Sequence, residues 1–149
     1  MLSIRVILIS TAEELSQAHN IRREVFVTEQ NVPEEEEIDQ YESHCRHFLA
    51  FTSDGIPCGT ARWRFVDNGV KLERFAVKKE FRKNGVGSAL MRAVLDDINN
   101  NPEYKGQRKY LHSQTNAVPL YEKFGFQKTG NPFFECNIQH YKMMEELSH

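Results

Sequence analysis

Residues able to do chemistry gather in one stretch, where Gly85, Gly87 and Ser88 follow closely on Lys78, Lys79, Arg82 and Lys83. Glycine lets main-chain N–H groups approach a ligand closely. A helix N-terminus adds unsatisfied donors and a dipole that favours an anion. Val86, Leu90, Ala93, Val94 and Ile98 keep helical spacing, so a helix is predicted to open here and run to Asn100. Four cations therefore precede a glycine-rich turn at a helix start, in a chain whose net charge is −2. A polyphosphate ligand accounts for all of this; a solvated basic loop with glycines for turning only is the competing account. Two other phosphate loops do not match. A P-loop needs Lys and then Ser or Thr after its last glycine, and Gly87 is followed by Ser88-Ala89. A dinucleotide fingerprint needs Gly or Ala where Leu90 stands.

Arg82-x-x-Gly85-x-Gly87, after a strand and opening a helix, resembles the acetyl-CoA signature of the GNAT N-acetyltransferase superfamily. Downstream, the run from Gln114 through Asn116 to Tyr121-x-x-x-Gly125-Phe126 is similar to that family's other motif. Two further stretches, from Arg23 to Pro33 and from Glu135 to Met143, resemble the ElaA/YjcF-like branch. The second departs from the branch pattern: Asn137-Ile138-Gln139-His140 stands where Gly-Ile-Pro-His is usual.

The resemblance implies a single GNAT domain over residues 1–149, using acetyl-CoA as acetyl donor and acting on a small-molecule amine (less often a peptide) within a ternary complex. It implies that the main chain of Phe75, Ala76 and Val77 pairs with pantetheine, one N–H there polarising the thioester carbonyl. Arg82, Lys83, Asn84, Gly85, Val86, Gly87 and Ser88 would wrap the pyrophosphate, with Asn116 and Gln114 touching the cosubstrate from the other side. Tyr121 takes the place of the superfamily's general acid, with core packing as its alternative role.

An acceptor ammonium must lose a proton before its nitrogen can attack. Glu73 is the candidate base; strict alternation would place it on one face with Phe75 and Val77. An ion pair with Arg74 or Arg62 is its alternative, and His112 and His140 are the other candidates. By resemblance, the first helix and following loop border the acceptor, which brings in Arg22, Glu29 and Gln30 and, from the tail, His140. Glu29 to Glu42 holds seven acids and no Lys or Arg. That run reads as a solvated surface, or else as an acidic rim for a cationic amine. A GNAT-fold sensor or scaffold that binds acyl-CoA without turnover is the alternative function.

These residues need a scaffold. Leu2 to Ile9 reads as a buried strand, and Thr11 with Glu14 forms a capping box for a helix reaching Glu29. His47–Thr52, Gly59–Val66 and Lys71–Val77 read as an antiparallel meander with turns at Asp54-Gly55 and Asp67-Asn68-Gly69. After the helix to Asn100 come a strand at Lys109–Ser113, a short helix over Ala117–Phe124 and one or two strands over Phe126–Leu147. The order predicts an α+β domain: a mixed, mostly antiparallel sheet flanked by helices. By the GNAT resemblance its central parallel strands should splay.

The 149 residues suffice for one ordinary domain, and 40% hydrophobic with 27% charged residues is a globular balance. Net charge −2 argues against a nucleic-acid partner. Cys45, Cys58 and Cys136 show no metal or redox spacing, so no metal is expected. No signal-peptide pattern or membrane-length apolar run is present, which reads as a cytoplasmic protein off the membrane. A homodimer is compatible with all of this.

Overall fold

The apolar run near the N-terminus forms strand β1, Ile4–Leu8, in a computed structural model that describes residues 3–146. Leu2 and Leu147, the outer limits of two predicted elements, lie outside those residues. Thr11 caps helix α1, Ala12–Arg22, with both halves of the capping box formed. The α-helix ends sooner than predicted and continues as a π-helical turn, Arg23–Glu29. Helix α2 is a single turn, Glu34–Glu37.

Strands β2 (Arg46–Thr52), β3 (Pro57–Val66) and β4 (Gly69–Val77) make the predicted meander. Helix α3 spans Val86–Asn100, β5 Arg108–Gln114 and α4 Val118–Glu122, the last preceded by a 3-10 turn at Thr115–Ala117. The tail supplies two strands, β6 (Phe126–Glu135) and β7 (Ile138–Glu145). One seven-stranded sheet results, in the order β1-β2-β3-β4-β5-β7-β6, antiparallel except for β4 beside β5.

Each face of the sheet has its own apolar cluster. Leu90, Met91, Val94 and Ile98 of α3 pack on one face with Trp63, Leu72 and Leu111. Ala18, Ile21 and Val25 pack on the other with Leu49 and Ala76. Burial of this kind contributes about 25 cal/mol per Å² of apolar surface, which is what holds helices of ordinary propensity on a sheet.

Two irregularities shape the sheet's centre. The parallel pairing runs only from Gly69↔Arg108 to Leu72↔Leu111, so beyond Leu72 the strand β4 has no partner on that side among the described residues. Meanwhile β5 continues alongside β7 as far as Gln114↔His140. The sheet therefore forks after Leu72 and Leu111. The second irregularity is a bulge. Arg62 faces Glu73 but Thr60 faces Ala76, so β4 carries one residue more than β3 there. Arg74 supplies it, with φ at 58°. Alternation reverses across it: Val70 and Leu72 face α3 before the bulge, Phe75 and Val77 after it, and Ala76 joins the α1 side. Glu73 consequently does not share a face with Phe75 and Val77, contrary to the alternation expected from sequence.

Candidate functional site

The fork is bordered by the start of α3. Gly85, at φ 81°, is the N-cap, a left-handed conformation that a side chain would strain. Gly87 has a packing reason to be small as well: an added Cβ would lie 3.0 Å from Leu120 Cδ2 on α4. Close approach of α4 to α3 leaves a groove lined by Val77, Arg82, Lys83, Gly85–Ser88 and Asn116, with Phe81, Leu120 and Lys123. Of the four cations expected there, Arg82 and Lys83 line it, whereas Lys78 and Lys79 do not. Lys123, which the motif did not single out, takes part, its Nζ donating to Ser88 Oγ at 3.2 Å. Asn84 turns inward and donates to the carbonyls of Phe81 and Arg82, so it ties the loop rather than facing the groove.

Next to the groove, at the fork itself, lies a cavity of about 470 Å³. Leu72 and Leu111, the last paired residues, line it along with Glu73, Phe75, His112 and Tyr121. Gln30, Gln114, Glu135, Cys136 and His140 complete much of the wall. Residues distant in sequence (positions 30, 73, 112, 121 and 140) thus meet in one chamber. Gln114 belongs here rather than to the groove, and exchanges two amide hydrogen bonds with Gln30, at 2.8 and 3.4 Å.

Tyr121 sets its ring edge-on to Phe75, centroids 5.7 Å apart, and is buried except at the cavity. Burial pushes its phenol well above the usual value. The phenol thus stays protonated and can donate, and its hydroxyl has no protein hydrogen-bond partner among the described residues.

Glu73 is buried and both its oxygens are engaged: Arg64 Nε donates to Oε1 at 2.7 Å and Arg62 Nε to Oε2 at 3.0 Å. Burial alone would raise its carboxyl, but Arg62 and Arg64 outweigh it and hold it below the usual range. A carboxylate so neutralised is a poor proton acceptor. The ion-pair role therefore prevails over the expected base.

The same guanidinium network corrects the reading of the acidic run. Arg62, fully buried, also binds Asp39 (Nη2 to Oδ2, 2.6 Å) and Glu42. Arg22 is buried too and chelates Glu37 and Glu42, at 2.9 and 2.8 Å, so it is not at the acceptor site. Arg74 reaches Glu37 at 3.0 Å. Glu37, Asp39 and Glu42 are therefore pinned to the sheet, whereas Glu34 to Glu36 are exposed, so the run is not a uniformly solvated surface. Glu29 likewise leaves the acceptor role: it chelates Arg82, at 2.8 and 3.0 Å, beside the groove.

His140 and His112 were secondary candidates in the sequence. His140 Nδ1 lies 2.7 Å from the Ile138 carbonyl, and His112 Nδ1 lies 2.8 Å from Glu135 Oε1. The His112–Glu135 pairing was not legible in the motifs, because it depends on β6 folding back beside β7.

Comparison with known proteins agrees with this geometry. A family model described as an acetyltransferase (GNAT) domain matches residues 10–147. The chain is 38% identical over 144 residues to the uncharacterized N-acetyltransferase YjcF of Bacillus subtilis (strain 168), covering 96% of this chain and 100% of that one. It is similar to the crystal structure of Escherichia coli ElaA with TM-score 0.80 and 26% identity, over 98% of this chain and 100% of that one. A GNAT family acetyltransferase from Elizabethkingia anophelis, solved with acetyl-CoA bound, shares the fold at TM-score 0.72 and 20% identity, over 97% and 98% of the two chains. A forked sheet beside a glycine-rich helix start is the architecture of an acyl-CoA-dependent transferase. The chain belongs to the GNAT acetyltransferase family, in its ElaA/YjcF-like branch, and is an acetyl-CoA-dependent N-acetyltransferase.

Proposed function

We propose that the protein moves the acetyl group of acetyl-CoA directly to the nitrogen of a small-molecule amine while both are bound. The observation that carries this reading is the fork: a cationic groove at the start of α3 adjoins a chamber at the sheet's split. The residues present suit the cosubstrate. Arg82, Lys83 and Lys123 supply positive charge, α3 supplies main-chain donors, and β4 from Phe75 to Val77 offers a strand edge without a neighbour. Bound there, acetyl-CoA supplies an acyl carbon activated by a thiol leaving group.

Tyr121 is the proposed acid. Its raised phenol argues against full proton transfer as a separate step and favours a hydrogen bond that strengthens as charge builds on sulfur. The acceptor is an amine that arrives as an ammonium. Glu36 lines the chamber and makes no ion pair among the described residues, its carboxylate receiving the Cys136 thiol at 3.0 Å.

Titration calorimetry with CoA and a thiol-release assay with acetyl-CoA and a panel of primary amines test the reading. Tight binding and amine-dependent thiol release are expected. Ser88→Glu puts a negative charge at the third residue of α3, where an acid favours the helix itself. It should weaken CoA binding at least tenfold with no loss of melting temperature. Undiminished binding by that variant would remove the groove assignment, and absence of thiol release with every amine would remove the transferase reading.

A further inference from the structure

Two side chains stand immediately past the fork: Glu73 follows the last paired residue of β4, and His112 follows the last paired residue of β5. Both line the chamber. Glu73 has spent its oxygens on Arg62 and Arg64. His112 has not. Its Nδ1 is committed to Glu135 at 2.8 Å, whereas Nε2 has no protein partner among the described residues. A carboxylate accepts and cannot donate, so the neutral ring must carry its proton on Nδ1 and its lone pair on Nε2. The side chains of His112 and Glu135 are 28% and 45% exposed, which leaves them reachable by a ligand. Phe133, edge-on at 5.0 Å, holds the ring in place from β6.

On this geometry, and resting on the acetyl-transfer reading above, we propose that His112 is the base that deprotonates the acceptor ammonium, with Glu135 as its positioning residue. Nε2 takes one proton from R–NH3+, giving imidazolium and R–NH2. The amine nitrogen forms the new N–C bond, the C–S bond breaks, and its electron pair leaves on sulfur. The new amide nitrogen sheds a proton and sulfur gains one, so those two balance; the imidazolium then returns its proton to solvent. The hydrogen bond from His112 holds the Glu135 carboxyl below its usual range, so the partner is an anion across the working pH range. Other ionisable groups facing His112 are Lys71 and Glu73 on β4, Tyr110 on β5, and His140 and Lys142 on β7.

The test pairs spectroscopy with rate profiles. Long-range 1H–15N spectra of the wild-type protein should show His112 in the Nδ1–H tautomer, and Glu135→Gln should lower its titration midpoint, since removing an anion destabilises imidazolium. Rates are then taken from pH 6 to 10 with n-butylamine, benzylamine, putrescine and glycinamide. His112→Gln should cut turnover at pH 7 by roughly a hundredfold or more, the loss shrinking as pH approaches the amine's own pKa. Its CoA affinity and melting temperature should match wild type. Glu135→Gln should give a smaller loss and move the acidic limb of the profile to lower pH, a change that a purely structural role would not produce. Full-rate His112→Gln, or an Nε2–H tautomer, overturns the assignment while wild-type turnover keeps the transferase reading intact. A wild-type protein that binds CoA and acetylates none of the amines overturns both.

Discussion

Tyr121 has a packing role and a proposed catalytic one, and a single substitution separates them. Its ring packs against Phe75 inside the α3 cluster, and the residue lines the chamber in which acetyl transfer is proposed. An unperturbed phenol, with pKa about 10, is already a weaker acid than a thiol near 8.5, and burial here widens that gap. Tyr121→Phe removes the hydroxyl and keeps the ring. Turnover should fall by roughly a hundred- to ten-thousand-fold, with CoA affinity and melting temperature nearly unchanged. Lost stability at unchanged specific activity would instead make it a packing residue. Cys136 is unsuited to a covalent route: the Glu36 carboxylate beside it pushes its thiol up to about 11, so little thiolate is present at neutral pH.

At the scale of the element, β4 carries the unusual geometry. Its bulge turns Glu73 towards the arginine network and Phe75 towards Tyr121, and it rests on one residue in the left-handed region, Arg74. Asn tolerates that region, whereas a β-branched residue does not. Arg74→Asn and Arg74→Val both lose the ion pairs to Glu37 and Asp39, so the difference between them isolates the backbone. Chemical denaturation should find the Val variant less stable by about 1–2 kcal/mol. Equal stabilities would mean that the bulge relocates cheaply. Elsewhere local rules hold: the Thr11 capping box, the turns after β2 and β3, and the length of α3 follow their sequence signals. The departures are the π-helical turn after Arg22, the bulge at Arg74 and the inward-facing acids. Short-range periodicity encodes none of the three.

Across the whole molecule, the network of Arg22, Arg62, Arg64 and Arg74 with Glu37, Asp39, Glu42 and Glu73 joins α1, the acidic loop, β3 and β4. Glu42 is held down to about 2, burial being outweighed by Arg22 and His19. Asp39 and Glu73 are also lowered, burial being outweighed chiefly by Arg62. A carboxyl whose folded pKa lies below its unfolded value contributes stability above the unfolded value and loses it as pH falls through the folded one. The unfolded values are 3.8 for Asp and 4.5 for Glu. Melting temperature should therefore be flat above about pH 5 and decline progressively between pH 4.5 and 2. A protein equally stable at pH 3 and pH 7 would contradict the network's contribution. The midpoint at pH 3 should change little with added salt, because buried pairs are screened less than exposed ones.

The sequence alone determined the order of elements, the glycine-rich turn that opens α3 and the family. These are carried by signals a few residues long: periodicities of 2 and 3.6, a capping box, paired glycines at a helix start. Tertiary structure decided which acids and bases are free to act. Glu73 resembled a base until Arg62, eleven residues away, and Arg64, nine away, engaged both its oxygens. His112 stood as a lone histidine until Glu135, 23 residues on, was brought to its Nδ1 by the fold of β6. Arg22 and Glu29 were candidates for the acceptor until partners at Glu37 and Arg82 took them. The reason is common to all of them. A titratable group's role depends on the charges within a few ångströms of it, and those arrive from elements whose mutual placement only the folded sheet defines.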